Sequence, residues 1–175
     1  MQPIPPLVRR TGVAVEAVAR ASEVFDAVYA AHYAPLVRLA YVTTGSMPAA
    51  EDVVQDVFVE WFRRLDDVES PVPYLRRAVV SRCTSWIRRR ILERRHATVE
   101  TWSALPPDGI GVAVRRALAQ LAPRQRSAVF LRYYLDLPVQ EIAEALGCPV
   151  GTVKSLLHRA LPVLQEHLEE RSDDH

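Results

Sequence analysis

Apolar side chains recur along this chain at three- and four-residue spacings, and no run alternates apolar and polar long enough to propose a strand, so the pattern predicts an all-α fold. A first helix over 22–43 gathers Phe25, Val28, Tyr29, His32, Leu36, Leu39 and Ala40 on one face; Gly45 stops it, and Pro35 bends it. A second, from Met47 or Pro48 to Leu65, carries the core stripe Val54, Val57, Phe58, Trp61 and Leu65. Its opposite face presents Asp52, Gln55, Asp56, Val59, Glu60 and Arg63. A loop around Glu69, Ser70, Pro71, Val72 and Pro73 leads into a third helix over 74–95, completing a three-helix bundle. Residues 97–111, with Pro106-Pro107-Asp108-Gly109, have the composition of a linker. Helices follow near 112–120, 123–135 and 139–146, then the turn Gly147-Cys148-Pro149 and a helix over 150–160.

These elements divide the chain into an irregular extension (1–22, broken by Pro3, Pro5, Pro6 and Gly12), a helical domain (23–96), a linker (97–111), a second helical domain (112–170) and a short tail (171–175). In the second domain the run from Gln140 to Val153 has helix-turn-helix spacing. Ala143 is small where two helices cross, Gly147 tolerates positive φ in the turn, and Ile142, Leu146 and Val153 fill the angle between the helices. Val153, Leu157, Ala160 and Leu164 then point inward, leaving Gly151, Lys154, Ser155 and His158 on the opposite face, flanked by Arg159. Such a face fits a major groove, where these side chains read base edges or grip phosphates.

Charge changes the picture more than composition does. The formal net charge of +1 conceals two opposed blocks. Residues 51–69 hold seven acidic side chains against two arginines, a net −5; residues 76–95 hold eight arginines against Glu93, a net +7. The basic block suits phosphate neutralisation and the acidic one a basic protein partner. With 49% hydrophobic residues in 175 positions, the chain has material for a buried core in one ordinary domain or two small ones. Cys83 and Cys148 are isolated, so neither a disulfide framework nor a zinc site is expected. His32 reads as a packed histidine and Cys148 as a small core filler. No stretch approaches a membrane span, and a soluble, cytoplasmic protein is expected.

Two stretches together resemble a known family. Ala50-Glu51-Asp52-Val53-Val54-Gln55-Asp56-Val57-Phe58 is similar to the polymerase-binding helix of the extracytoplasmic-function sigma factors, the small two-domain members of the bacterial sigma-70 family. Gly147-Cys148-Pro149-Val150-Gly151-Thr152-Val153-Lys154-Ser155, with His158-Arg159-Ala160, is similar to that family's DNA-reading helix. The resemblance covers 24–95 and 113–161. It implies a promoter-specificity subunit of RNA polymerase that also helps melt the minus-10 region, with no catalytic residue, metal or cofactor of its own. Asp52, Gln55, Asp56, Val59 and Glu60 would bind the β′ clamp helices of core polymerase, with the β flap as a second contact. Glu69 and Ser70 would hold a flipped base, and Tyr74, Arg76, Arg77, Ser81, Arg82, Trp86 and Arg88 would engage the minus-10 element. Gly151, Thr152, Lys154, Ser155, His158 and Arg159 would contact the minus-35 element, and an anti-sigma partner is expected.

Some positions depart from the family pattern. Pro138 and Pro149 stand where a capping Ser is usual, Leu156 where Arg is common, and Ser81 where Asn is common. The lost Leu156 charge is expected to weaken phosphate contact, and Pro162 to bend or end the recognition helix. A rival reading, an autonomous helix-turn-helix regulator, leaves the acidic helix unexplained. An enzyme reading lacks any nucleophile-base spacing around Cys83, His96 or the serines.

Overall fold

The computed structural model describes residues 8–93 and 111–169, and within them every regular element is helical. In chain order these are α1 (Val8–Thr44), α2 (Met47–Phe62), a 3₁₀ turn (Leu65–Asp67), α3 (Pro71–Glu93), α4 (Val112–Ala119), α5 (Pro123–Val129), a π-helical turn (Phe130–Tyr134), α6 (Val139–Leu146) and α7 (Val150–Glu169). The linker expectation, apart from Gly111, and the expected tail lie outside the described residues, as do Pro3, Pro5, Pro6, Arg94, Arg95 and His96.

Local chemistry sets the boundaries. Gly45 takes φ 76° and its N–H donates to Tyr41 O at 2.7 Å, so the chain turns out of α1 where only glycine does so without strain. Ser46 has extended backbone and caps α2, its hydroxyl accepting from Ala49 N at 3.5 Å, with Pro48 in the first turn, where its missing N–H costs nothing. The α6–α7 corner closes through Gly147, at φ 59°, and Cys148 N donates to Ala143 O at 3.0 Å. Arg124 seals the same helix end by donating to Leu146 O at 3.0 Å.

Three expectations about extent are corrected. Helix begins at Val8 rather than near Ser22, because the early prolines precede it and a single Gly12 costs a helix only about 1 kcal/mol. Pro71, Val72 and Pro73 form the first turn of α3 instead of a loop; first-turn N–H groups lack intrahelical partners anyway. The recognition helix continues through Pro162 to Glu169. Pro162 and His158 are both exposed, so water can reach the His158 carbonyl whose helical donor the proline lacks.

The N-terminal half packs α1 against α2 and α3, and the C-terminal half packs α4, α5 and α6 against α7. The two halves also pack on each other, α5 and the π-helical turn against α1, and α6 against α3. Their buried side chains form one continuous cluster, from Tyr41, Phe58 and Trp61 through Leu131 and Ile142 to Val153. Every residue from Leu39 to Thr43 is buried, and so is every residue from Arg126 to Leu131. Helices buried all round have neighbours on every side, and here each half supplies one side of the other.

Candidate functional site

Three surfaces bring together the residues singled out from the sequence. The first is the outer face of α2. While Val54, Val57, Phe58 and Trp61 are sunk in the core, Asp52, Gln55, Asp56 and Val59 are exposed, and Glu60 is partly so. Phe62 extends this face with a half-exposed ring, 5.1 Å centroid to centroid from Phe25. Sequence reading passed over Phe62; its signal was the i, i+3 relation to Val59.

The second surface is α3, and its arginines do not all stand alike. Arg82 donates to Glu60 Oε2 and, at 3.4 Å, to Asp56 Oδ2, tying the basic helix to the acidic one. The Arg82 hydrogen bond holds the Glu60 carboxyl below its ordinary pKa, aided by Arg64 and by a hydrogen bond from Tyr74. Arg76 reaches the other half, donating to Glu141 Oε2 at 3.2 Å. Arg77 and Arg88 are exposed, as are Ser81, Glu69 and Ser70. Trp86 is partly buried, with the Arg90 guanidinium 5.9 Å from its ring centroid. Beneath this helix the Cys83 thiol is fully buried, and burial pushes its pKa up to about 12, which makes it a core filler rather than a nucleophile.

The third surface is the outer face of α7. Gly151, Thr152, Lys154, Ser155, His158 and Arg159 are all exposed, while Val153, Leu157 and Ala160 are buried. Two hydrogen bonds organise the face: Ser155 Oγ donates to Gly151 O at 3.0 Å, and Arg159 Nε to Ser155 O at 3.1 Å. Leu156 does not belong to it. Its side chain is 9% exposed and joins the core, so the expectation that it vacates a phosphate contact is corrected: at this position the residue packs. Pro138 and Pro149 provide no side-chain cap, yet Pro138 O accepts from Ile142 N at 3.1 Å and Pro149 O from Thr152 N at 2.9 Å.

A shallow groove runs between α3 and the corner after α6, lined by Arg77, Ser81, Thr84 and Arg88 from α3 and by Arg124 and Gly147 from the other half. Among the described residues no group of three or more His, Cys, Asp and Glu side chains could hold a metal ion, and no helix is long and apolar enough to cross a membrane.

Residues 28–91 match the family described as Sigma-70 region 2, and residues 111–161 match Sigma-70, region 4. The chain is 40% identical over 133 residues to an RNA polymerase sigma-E factor of Streptomyces avermitilis, a match covering 71% of this chain and 74% of that protein. It is 31% identical over 166 residues to the ECF RNA polymerase sigma factor SigL of Mycobacterium tuberculosis, covering 88% and 94% respectively. Among solved structures it resembles the Bartonella quintana sigma factor RpoE, determined in complex with the anti-sigma factor NepR, at TM-score 0.66 and 26% identity over 78% of this chain and 91% of that one. CnrH, determined in complex with the cytosolic domain of CnrY, shares the fold at TM-score 0.63 and 23% identity, covering 87% and 95%.

Proposed function

Because the chain belongs to the sigma-70 family as an extracytoplasmic-function RNA polymerase sigma factor, we propose that its three exposed surfaces divide the work of promoter-directed initiation. The α2 face is the polymerase-docking surface. Asp52, Gln55, Asp56 and Glu60 supply the charge that steers a basic partner such as the β′ clamp helices, and Val59 with Phe62 supplies apolar contact. The β flap is the second polymerase contact. The α3 face engages the minus-10 element: Arg77 and Arg88 take phosphates, and Arg76 and Arg82 take them once their carboxylate partners are displaced. Tyr74 and Trp86 stack on unpaired bases, Ser81 hydrogen-bonds, and Glu69 and Ser70 flank the flipped base.

The α7 face reads the minus-35 element, with Lys154, His158 and Arg159 on base edges and phosphates and Gly151, Thr152 and Ser155 allowing close approach. Promoter opening is then capture of unstacked bases rather than covalent chemistry, so the chain works as a non-enzymatic initiation factor in the cytoplasm. An anti-sigma protein is its regulatory partner; the solved Bartonella quintana relative in complex with the anti-sigma factor NepR supports this.

One observation carries the reading: an exposed acidic face and an exposed groove-reading face stand on separate helical halves of one chain. A carboxylate-rich docking face has no use in a free-standing operator-binding regulator. Run-off transcription with core polymerase and this protein on a genomic promoter library tests it. Start sites that depend on the added protein are expected; their absence with active core controls, alongside tight DNA binding by the chain alone, overturns it.

A further inference from the structure

Some arginines of the basic block already have carboxylate partners: Arg82 is bonded to Asp56 and Glu60, and Arg76 to Glu141. Arg77 and Arg88 pair with no carboxylate among the described residues, and neither does Arg124 across the groove. These three line one cavity of about 260 Å³, whose other walls are hydroxyl-bearing or aliphatic and include no Asp or Glu. Helical spacing sets its donors in a row. Arg77, Ser81, Ser85 and Arg88 follow one another at four, four and three residues on α3, sharing one face over about 16 Å. Among the described residues no bond occupies the Ser81 or Ser85 hydroxyl, whereas Thr84 Oγ1 donates to Val80 O at 2.9 Å within the helix. Opposite, Arg124 gives one N–H to Leu146 O at 3.0 Å, which satisfies the carbonyl at the end of α6 and leaves the rest of the guanidinium fork to the groove.

We propose that this groove is a binding site for a short linear polyphosphate chain, gripped by Arg77 and Arg88 on one wall and by Arg124 on the other. Charge and donor geometry select an anion with several oxygens in series: guanidinium forks take phosphate oxygens in pairs, and the serine hydroxyls donate between them. Size selects a compact one. The cavity is smaller than the roughly 300 Å³ at which small-molecule clefts begin, and no aromatic ring lines it, so a nucleobase finds neither room nor a stacking surface. Guanidinium groups on two facing walls enclose a ligand from both sides, which is the arrangement of a pocket rather than of an open face that tracks a nucleic-acid backbone.

The neighbouring depression, where Glu141 and Glu144 stand beside Tyr74 and Arg76, would repel the same ligand, so the binding is confined to the groove. Arg77 and Arg88 are also the residues given above to the minus-10 phosphates. Polyphosphate and promoter strand therefore compete for them, and an accumulating phosphate polymer lowers promoter engagement; this competition, unlike the site itself, rests on the assignment of α3 to the minus-10 element.

Calorimetric titration of the full-length chain with sodium tripolyphosphate, in magnesium-free buffer at constant ionic strength, tests the site. A single equivalent is expected to bind, and orthophosphate at least about ten-fold more weakly, since it reaches only one guanidinium at a time. Arg124→Gln is expected to weaken tripolyphosphate about five-fold and to leave the affinity for single-stranded minus-10 DNA unchanged, while Arg88→Gln weakens both. Ser85→Ala removes one donor from an exposed helical position without touching the corner after α6, and is expected to weaken tripolyphosphate about three-fold. Parental affinity in both Arg124→Gln and Ser85→Ala overturns the proposal, because the anion then adsorbs along the arginines of α3 alone. Adenosine triphosphate binding about ten-fold more tightly than tripolyphosphate overturns it too, since the groove then recognises a nucleoside. In a separate arm, tripolyphosphate is expected to displace a fluorescent minus-10 strand from the parent chain at its titrated Kd. A strand that stays bound while the groove is filled removes the minus-10 assignment of α3 and leaves the polyphosphate site standing.

Discussion

Arg82 on α3 and Glu60 on α2 are joined by a hydrogen bond across 22 positions of sequence, so the helix that carries the basic block is fastened to the helix that carries the acidic one. The same guanidinium reaches Asp56, leaving Arg82 partly neutralised, whereas Arg77 is exposed one helical stretch earlier. Arg77→Gln should therefore lower the salt slope of single-stranded minus-10 DNA binding by about 0.7, one released counterion, and Arg82→Gln by clearly less. Both Arg82 and Glu60 are about two-fifths exposed, so Arg82→Gln should change folding stability by less than about 1 kcal/mol. Fluorescence anisotropy across a salt series, with urea denaturation, measures both.

Reversing the charge on the outer face of α2 separates docking from folding. Asp52 and Asp56 are exposed and the α2 core stripe lies on the other side, so Asp52→Arg with Asp56→Arg should abolish co-elution with core polymerase. Circular dichroism of the variant should match the parent, and unfolding should move by no more than about 1 kcal/mol.

Gly147 is required for its backbone rather than for space. A Cβ there would meet nothing within 4 Å, yet φ is +59°. Gly147→Ala should cost about 1–2 kcal/mol from strain alone, and Gly147→Asn less, since Asn tolerates the left-handed region better. Denaturation midpoints of the two variants check the order.

Leu156→Arg discriminates between a surface role and a core role for that position. Because Leu156 is buried against the C-terminal core, the added charge should destabilise the fold by at least about 2 kcal/mol. A variant that instead kept its stability and gained affinity for minus-35 DNA would falsify the packing role.

His32 supplies a pH dependence. Burial, and then the nearby positive Arg76, hold its imidazole below the ordinary value of 6.5. The unfolded chain therefore binds a proton more readily than the folded one between the folded pKa and about 6.5, so stability rises with pH across that window. It is complete above about 6.5 and declines on acidification, when a charged His32 would face Arg76, itself bonded to Glu141. His32→Gln should flatten this part of the stability profile, and the His32 ring resonance should titrate below 6.5.

Helix identity, the split into two halves and the outward faces of α2 and α7 were legible because each depends on short-range periodicity and turn chemistry. Val54, Val57, Phe58 and Trp61 repeat at helical spacing and are buried together; Gly147 adopts the left-handed conformation its place in the motif requires. Boundaries governed by proline were harder, since Pro71 and Pro162 each stand where exposure or a first turn makes the missing N–H tolerable. Leu156 was misplaced because family habit, not this chain's amphipathic pattern, suggested a surface role. The contact between halves was unread for another reason. Leu36, Val37, Leu39, Ala40, Tyr41 and Val42 are apolar on every side of α1, as are Ala128, Val129, Phe130 and Leu131 around α5, and only one face of each was assigned a neighbour. Ion pairs such as Arg76 with Glu141 depend on that contact and left no mark in sequence spacing.

The all-round burial of α1 between Leu39 and Thr43 has a practical consequence for dissecting the molecule. A fragment ending at Glu93 would present to water the strip that α5 otherwise covers, and greasy helical strips of this kind invite self-association. Truncated halves are therefore poor stand-ins for the full-length polypeptide in solution, and dissecting the molecule calls for point changes rather than cutting.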